Sequence, residues 1–192
     1  SEKVHSPGSF LSKPVSSGKK NKLYLKLKAP KEFSKESHHV LSKAEIGIVL
    51  HDVLRQLNAP EELDELLDKT RLEGKLSDKI INDVKGPLKS LLEQKEVKHW
   101  FGTHVKVYNE SAIITPESKE YRPDRVIDDG KTIKVIDYKF GQYRFQKHQT
   151  QVKQYMKLLQ QMGHKKVEGY VWYVSLADVV KVALNAVQGK LF

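Results

Sequence analysis

The chain contains no cysteine. Disulfides, thiolate zinc sites and cysteine-held iron–sulfur clusters are therefore excluded, and a reducing, cytoplasmic compartment is the expected setting. No apolar run is long enough for a membrane helix, and no leader pattern opens the sequence, so neither a membrane nor export is expected. Acidic residues are also scarce relative to basic ones: 24 Asp and Glu stand against 34 Lys and Arg, a formal net charge of +10. This balance favours polyanionic partners, because each phosphate neutralised by a lysine or arginine releases counterions. A solvated surface with a lysine-rich tail gives the same count. A complete phosphate-binding loop is missing too. Gly130-Lys131-Thr132 has the ending of one, but the first glycine of that pattern falls on Arg125, so no ATP site is read in this chain.

The 192 residues, 39% hydrophobic and 30% charged, suit one ordinary domain, or a domain with a tail, that can bury a core unaided. Residues 1–40 are rich in Ser, Lys, Pro and Gly, with a basic run at Lys19, Lys20 and Lys22, and read as a basic linker or extended arm. Alternation at Leu23, Leu25 and Leu27 suits a short docking strand. His38 and His39 are poor metal candidates, since adjacent side chains point apart in a strand. Residues 41–192 read as the folded domain.

Ser42 and Glu45 have capping-box spacing, and Ile46, Val49, Leu50, Val53, Leu54 and Leu57 follow as one helical stripe. Gly47 and His51, four apart, share a face beside it. His51 is either a boundary histidine or a functional one on this pattern. Pro60 opens a second helix with Leu63, Leu66 and Leu67 inward, and Ser77 caps a third carrying Ile80, Ile81 and Val84. Gly86-Pro87 is expected to break or kink that helix before Leu88, Leu91 and Leu92.

From Trp100 the pattern turns to strands. Val105 and Val107 alternate with polar residues, and Ala112 to Ile114 form a short apolar run. Tyr121 to Ile127 and Thr132 to Tyr138 read as paired strands, joined by a turn at Asp128-Asp129-Gly130-Lys131. Gln149 to Met162 read as a helix with Val152, Tyr155, Met156 and Leu159 on one face. Val167 to Val174 is a strand, and Val179 to Leu184 a last strand or short helix. Helices first, then strands crossed by one helix, predict a mixed α/β domain.

The candidate chemistry lies in the paired strands. Asp137 and Lys139 are two apart, so they project from one face, and the hairpin brings Asp124 alongside. Two carboxylates on one face form a hard-oxygen site suited to Mg²⁺, with the Tyr138 carbonyl as a further ligand. Lys139 beside them is placed to act on a water or on a charged phosphate. Two solvated acids at strand ends are the plainer alternative, because an isolated Asp-x-Lys is common.

Arg122-Pro-Asp-Arg-Val-Ile127 followed by Val135-Ile-Asp-Tyr-Lys139 resembles the core motif of the PD-(D/E)xK nuclease superfamily. Within it the chain most resembles the RecB and AddA branch, the C-terminal nuclease domain of UvrD/RecB-type helicase–nucleases (exodeoxyribonuclease V beta-like). The further matches are Gly47-x-x-x-His51 on a helix before the core, Glu110-Ser-Ala-Ile-Ile114 on a strand, and Gln151-x-x-x-Tyr155 on a helix after it. The glycine of many RecB first core strands is replaced here by Arg122-Pro123.

The resemblance implies a restriction-endonuclease-like mixed sheet flanked by helices, with an N-terminal helical segment. It implies His51, Asp124 and Asp137 as ligands to Mg²⁺, with Mn²⁺ as a substitute and the Tyr138 carbonyl helping. Lys139 becomes the catalytic lysine, Glu110 an acidic member near the site, and Gln151 and Tyr155 pocket residues. The implied activity is DNA hydrolysis, by exonuclease action, in repair or recombination. The implied partners are a helicase motor upstream on the same polypeptide and a RecC- or AddB-like subunit. Arg122, Arg125, Arg144 and Lys147 lie near the motif and are candidates for phosphate contacts, and Tyr143 and Phe145 for base stacking. A DNA-binding or partner-docking module that keeps the fold without the activity, and a stand-alone restriction or phage nuclease, are the other readings.

Overall fold

A computed structural model describes residues 41–102, 105–109, 112–114 and 118–184. The basic arm, His38, His39 and Glu110 lie outside the described residues. Among the described residues, three α-helices come first: α1 (Lys43–Gln56), α2 (Leu63–Leu72) and α3 (Asp78–Leu92). The capping box at Ser42 and Glu45 is formed in both directions, which satisfies free N–H groups at the start of α1. Pro60 opens a short 3₁₀ turn, Pro60–Glu62, that leads into α2. The expected break at Gly86-Pro87 does not occur, and α3 runs through it. Pro87 cannot donate to the preceding turn, a cost of about 3 kcal/mol. Continuity instead keeps Leu88, Leu91 and Leu92 on the buried stripe begun by Ile80, Ile81 and Val84.

Among the described residues, seven strands follow: β1 (Lys106–Asn109), β2 (Ile113–Ile114), β3 (Glu120–Tyr121), β4 (Arg125–Asp128), β5 (Ile133–Lys139), β6 (Val167–Tyr173) and β7 (Asp178–Val182). Helix α4 (Gln146–Gln161) joins β5 to β6. The main sheet has the order β1-β4-β5-β6-β7, with β5 and β6 parallel and the other pairs antiparallel. The mixed α/β sheet flanked by helices is thus the architecture expected from the sequence. The single strand expected over Tyr121 to Ile127 is instead two, β3 and β4, which belong to different sheets. Residues 122–124 form the break between them. The β4–β5 turn is as expected: Gly130 has a φ of 81°, and the Asp128 and Asp129 carboxylates accept N–H bonds from Gly130, Lys131 and Thr132.

Each face of the sheet carries its own apolar cluster. Ile127, Ile136, Tyr138 and Trp172 face α1, α2 and α3. Val126, Val135, Val171 and Tyr173 face α4 through Val152, Tyr155, Met156 and Leu159. Strand alternation therefore turns Tyr138 toward the helical layer and its neighbours Asp137 and Lys139 toward the α4 side. Among the described residues, no helix is long and apolar enough to cross a membrane.

The contact between α4 and β6 depends on Gly169. A Cβ there would lie 2.6 Å from Val152 Cγ1 and 2.4 Å from Met156 Sδ. The methionine can swing away, but the branched valine on a helix has little rotamer freedom. Gly169→Val is expected to lower stability by about 1–3 kcal/mol through overpacking, read as an earlier urea midpoint. An unchanged midpoint would show that α4 does not sit this close to β6.

Candidate active site

Two layers meet at the end of β5. On α1, Gly47 is buried, and a Cβ built on it would stand 3.0 Å from Phe140 Cβ, immediately after Lys139. The glycine lets the helix approach the strand end. One turn on, the His51 ring lies edge-on to Tyr138 and Phe140, with ring centroids 5.9 and 6.4 Å away. His51 Nε2 is 3.1 Å from Asp124 Oδ2. The same oxygen accepts the Tyr138 N–H at 2.7 Å.

Asp124 sits in the bend before β4 rather than on the strand itself. Arg125 pairs with Ile136, so Asp124, one residue earlier, falls opposite Asp137. Asp137 is 2% exposed. Burial first, and then the Asp124 carboxylate, push its carboxyl up to about 6, while Lys139 and His51 pull the other way. Lys139 Nζ is 2.7 Å from Asp137 Oδ2. The distance is that of an ion pair, but the angles are not those of a hydrogen bond, so Oδ2 remains buried without one.

The α4 residues reach the same place from the other face. Gln151 Nε2 donates to the Tyr155 hydroxyl at 2.8 Å, and that hydroxyl makes a long 3.5 Å contact to the Arg122 carbonyl. The pair thus supports the backbone that leads into Asp124. Burial raises the Tyr155 phenol, and the charges of Asp137 and Asp124 raise it further.

His148 is a neighbour that the sequence analysis missed. Its Nδ1 is 3.2 Å from the Tyr173 hydroxyl, and Tyr173 is the register partner of Lys139. Burial first, then the positive charges of Lys139 and Lys147, lower its pKa to about 4, so the imidazole is neutral at pH 7. The available signal was its position three residues before Gln151, a spacing that shares a helix face.

The four basic candidates differ in placement. Arg125 is corrected outright: it is 0% exposed and cannot contact a phosphate backbone. It lies on the same face of β4 as buried Ile127, which alternation requires. Arg144 is mostly buried, 2.6 Å from Asp178 Oδ2 and near the Tyr173 ring. Arg122 is exposed and paired with Glu120. Lys147 is exposed, with Nζ 5.3 Å from the Phe145 ring centroid. Tyr143 is 58% exposed, and its ring centroid is 6.2 Å from that of Phe145.

His51, Asp124, Asp137 and the Tyr138 carbonyl offer one imidazole nitrogen and several hard oxygens, a donor set that fits a divalent cation. Among the described residues, no three His, Asp or Glu side chains are drawn together closely enough to form a metal cluster. The fit rests on Asp137, a buried carboxylate with an oxygen lacking a hydrogen bond and a second carboxylate opposite it. Two such groups call for positive charge beyond one lysine.

A family model for the PD-(D/E)XK nuclease superfamily matches residues 22–189. This covers most of the chain, and the chain belongs to that superfamily. A comparison with curated proteins finds no match.

Asp137 titrates above the ordinary carboxyl value of 3.8, so its ionisation weakens the metal-free fold as pH rises from there through about 6. Asp137→Asn is therefore expected to be more stable than the wild type at pH 7.5 in EDTA, by roughly 1–3 kcal/mol. The gap should close as pH falls below about 4. Urea unfolding at both pH values measures it. A variant less stable than the wild type at pH 7.5 would mean that the Lys139 contact outweighs desolvation.

Proposed function

We propose that this superfamily member hydrolyses DNA phosphodiester bonds with a divalent cation, Mg²⁺ by preference and Mn²⁺ as a substitute. The observation that carries the reading is the convergence of α1, the bend before β4, and β5, which sets His51 against Asp124 and Asp137 against Lys139. His51 Nε2, the Asp124 and Asp137 carboxylates and the Tyr138 carbonyl would hold the cation. A cation bound there would act as a Lewis acid on the phosphoryl oxygen and offset charge that develops on the phosphate.

Lys139 supplies the remaining positive charge. Its ammonium, 2.7 Å from Asp137 Oδ2, carries three donors. These would orient an attacking water and stabilise a non-bridging phosphate oxygen. Neutral His148 adds no competing charge beside it. Gln151 and Tyr155 keep the backbone before Asp124 in place. The net charge of +10 supports sequence-independent binding to a phosphate backbone, with exposed Arg122 and Lys147 as contacts near the site.

The ordered set Gly47-x-x-x-His51, Asp124, Asp137-x-Lys139 and Gln151-x-x-x-Tyr155 supports placement in the RecB and AddA branch. On that resemblance, the domain works as an exonuclease in DNA repair or recombination, behind an ATP-driven motor on the same polypeptide and beside a RecC- or AddB-like subunit. A DNA-binding module without activity is the second reading, favoured by the ligand set not being closed on itself. The intact Asp137–Lys139 pair favours catalysis.

Cleavage of single- and double-stranded DNA in Mg²⁺, Mn²⁺ or EDTA separates these readings. The expected result is cation-dependent cleavage that falls at least ~10²-fold in Lys139→Ala, with DNA affinity within a few-fold of wild type. DNA binding without cleavage in any cation would favour the binding module. Wild-type cleavage by Lys139→Ala would place the centre elsewhere.

A further inference from the structure

The guanidinium of Arg125 is buried in the interface between the helical layer and the sheet. Its Nε donates to the Tyr138 hydroxyl at 2.8 Å, Nη1 to the Trp100 carbonyl at 3.0 Å, and Nη2 to the Leu57 carbonyl. The Phe101 ring lies under it, 4.2 Å from Cζ to the centroid. All three acceptors are neutral. Burying a cation on such partners is costly, and well-packed apolar side chains commonly replace buried charges without loss of stability. What the guanidinium adds is a rigid planar fork with fixed angles between its three partners.

Two of those partners, Leu57 and Tyr138, belong to the elements that carry the site. Leu57 caps the C-terminus of α1, where a carbonyl has no partner within the helix and a cation is favoured. His51 lies six residues before it, about 9 Å along the same rigid helix. Tyr138 lies between Asp137 and Lys139, its N–H holds Asp124, and its ring meets His51 edge-on. Arg125 itself adjoins Asp124 in the chain.

We propose that Arg125 is a positioning residue for the active site: through Tyr138 and the end of α1, it fixes where His51 meets Asp124 beside Asp137 and Lys139. Its role in catalysis rests on the nuclease reading above, whereas its hold on His51 does not. The role lies in the geometry of the fork, not in contact with DNA. Arg125→Lys keeps the charge and loses the fork. Tyr138→Phe keeps the ring and volume and removes the acceptor.

Three measurements on the full chain test this: thermal unfolding, steady-state cleavage of DNA in Mg²⁺, and the His51 ring resonance in EDTA, identified by its loss in His51→Gln. Both variants are expected to unfold cooperatively and to keep KM within about threefold, while kcat falls by roughly 10–100-fold, the usual effect of removing an outer-shell partner. The His51 resonance should shift in both; in Arg125→Lys the Tyr138 ring beside His51 is unaltered, so the shift there reports the lost fork. If Arg125→Lys does not fold, Tyr138→Phe decides alone. Wild-type kcat together with an unmoved His51 resonance in Tyr138→Phe would overturn the proposal while leaving the nuclease reading intact. If the wild type does not cleave, the nuclease reading fails, and the resonance in EDTA still decides whether Arg125 positions His51.

Discussion

At the site, one carboxylate oxygen bridges the helical layer and the sheet. Asp124 Oδ2 accepts the Tyr138 N–H from the sheet and meets His51 Nε2 from α1. The rest of the site depends on that shared contact. It requires α1 to come close to the strand end, which the missing side chain of Gly47 permits against Phe140. It requires Tyr138 to face the helices, and strand alternation then turns Asp137 and Lys139 to the α4 side. It also requires the chain to turn before β4, where Gln151 and Tyr155 support the Arg122 carbonyl.

The same arrangement works against stability. Asp137 is held nearly dry opposite another carboxylate, and its raised pKa expresses the cost of keeping it charged. An arrangement chosen only for stability would avoid this pair. Sites where the local rules of folding are broken are where function is expected. The apolar clusters on both faces of the sheet, with α1, α2 and α3 on one side and α4 on the other, supply the burial that offsets the cost.

Much of this was legible in the sequence, because it follows from period. The stripe from Ile46 to Leu57 gave α1 and its buried face, and period two placed Asp137 and Lys139 together. Gly47-x-x-x-His51 was legible as a shared face, but its partner Phe140 was not, since contacts between layers leave no local pattern. Arg125 departs from the expected surface position for a related reason. A charged residue beside a motif suggests a surface, and only its alternation with Ile127 on a strand shorter than expected shows it to be buried. The break at residues 122–124 and the continuity of α3 through Pro87 were decided by pairing and packing rather than by propensity. His148 carried no motif beyond its helical spacing from Gln151, and its partner Tyr173 lies on another element.

The proposed chemistry requires His51, Asp124 and Asp137 to hold a divalent cation beside Lys139. The most direct test is anomalous diffraction from a crystal of the protein soaked in Mn²⁺. An anomalous peak is expected in ligand contact with His51 Nε2 and both carboxylates, absent from an Asp137→Asn crystal soaked in the same way. A well-occupied peak elsewhere, with none at these residues, would contradict it.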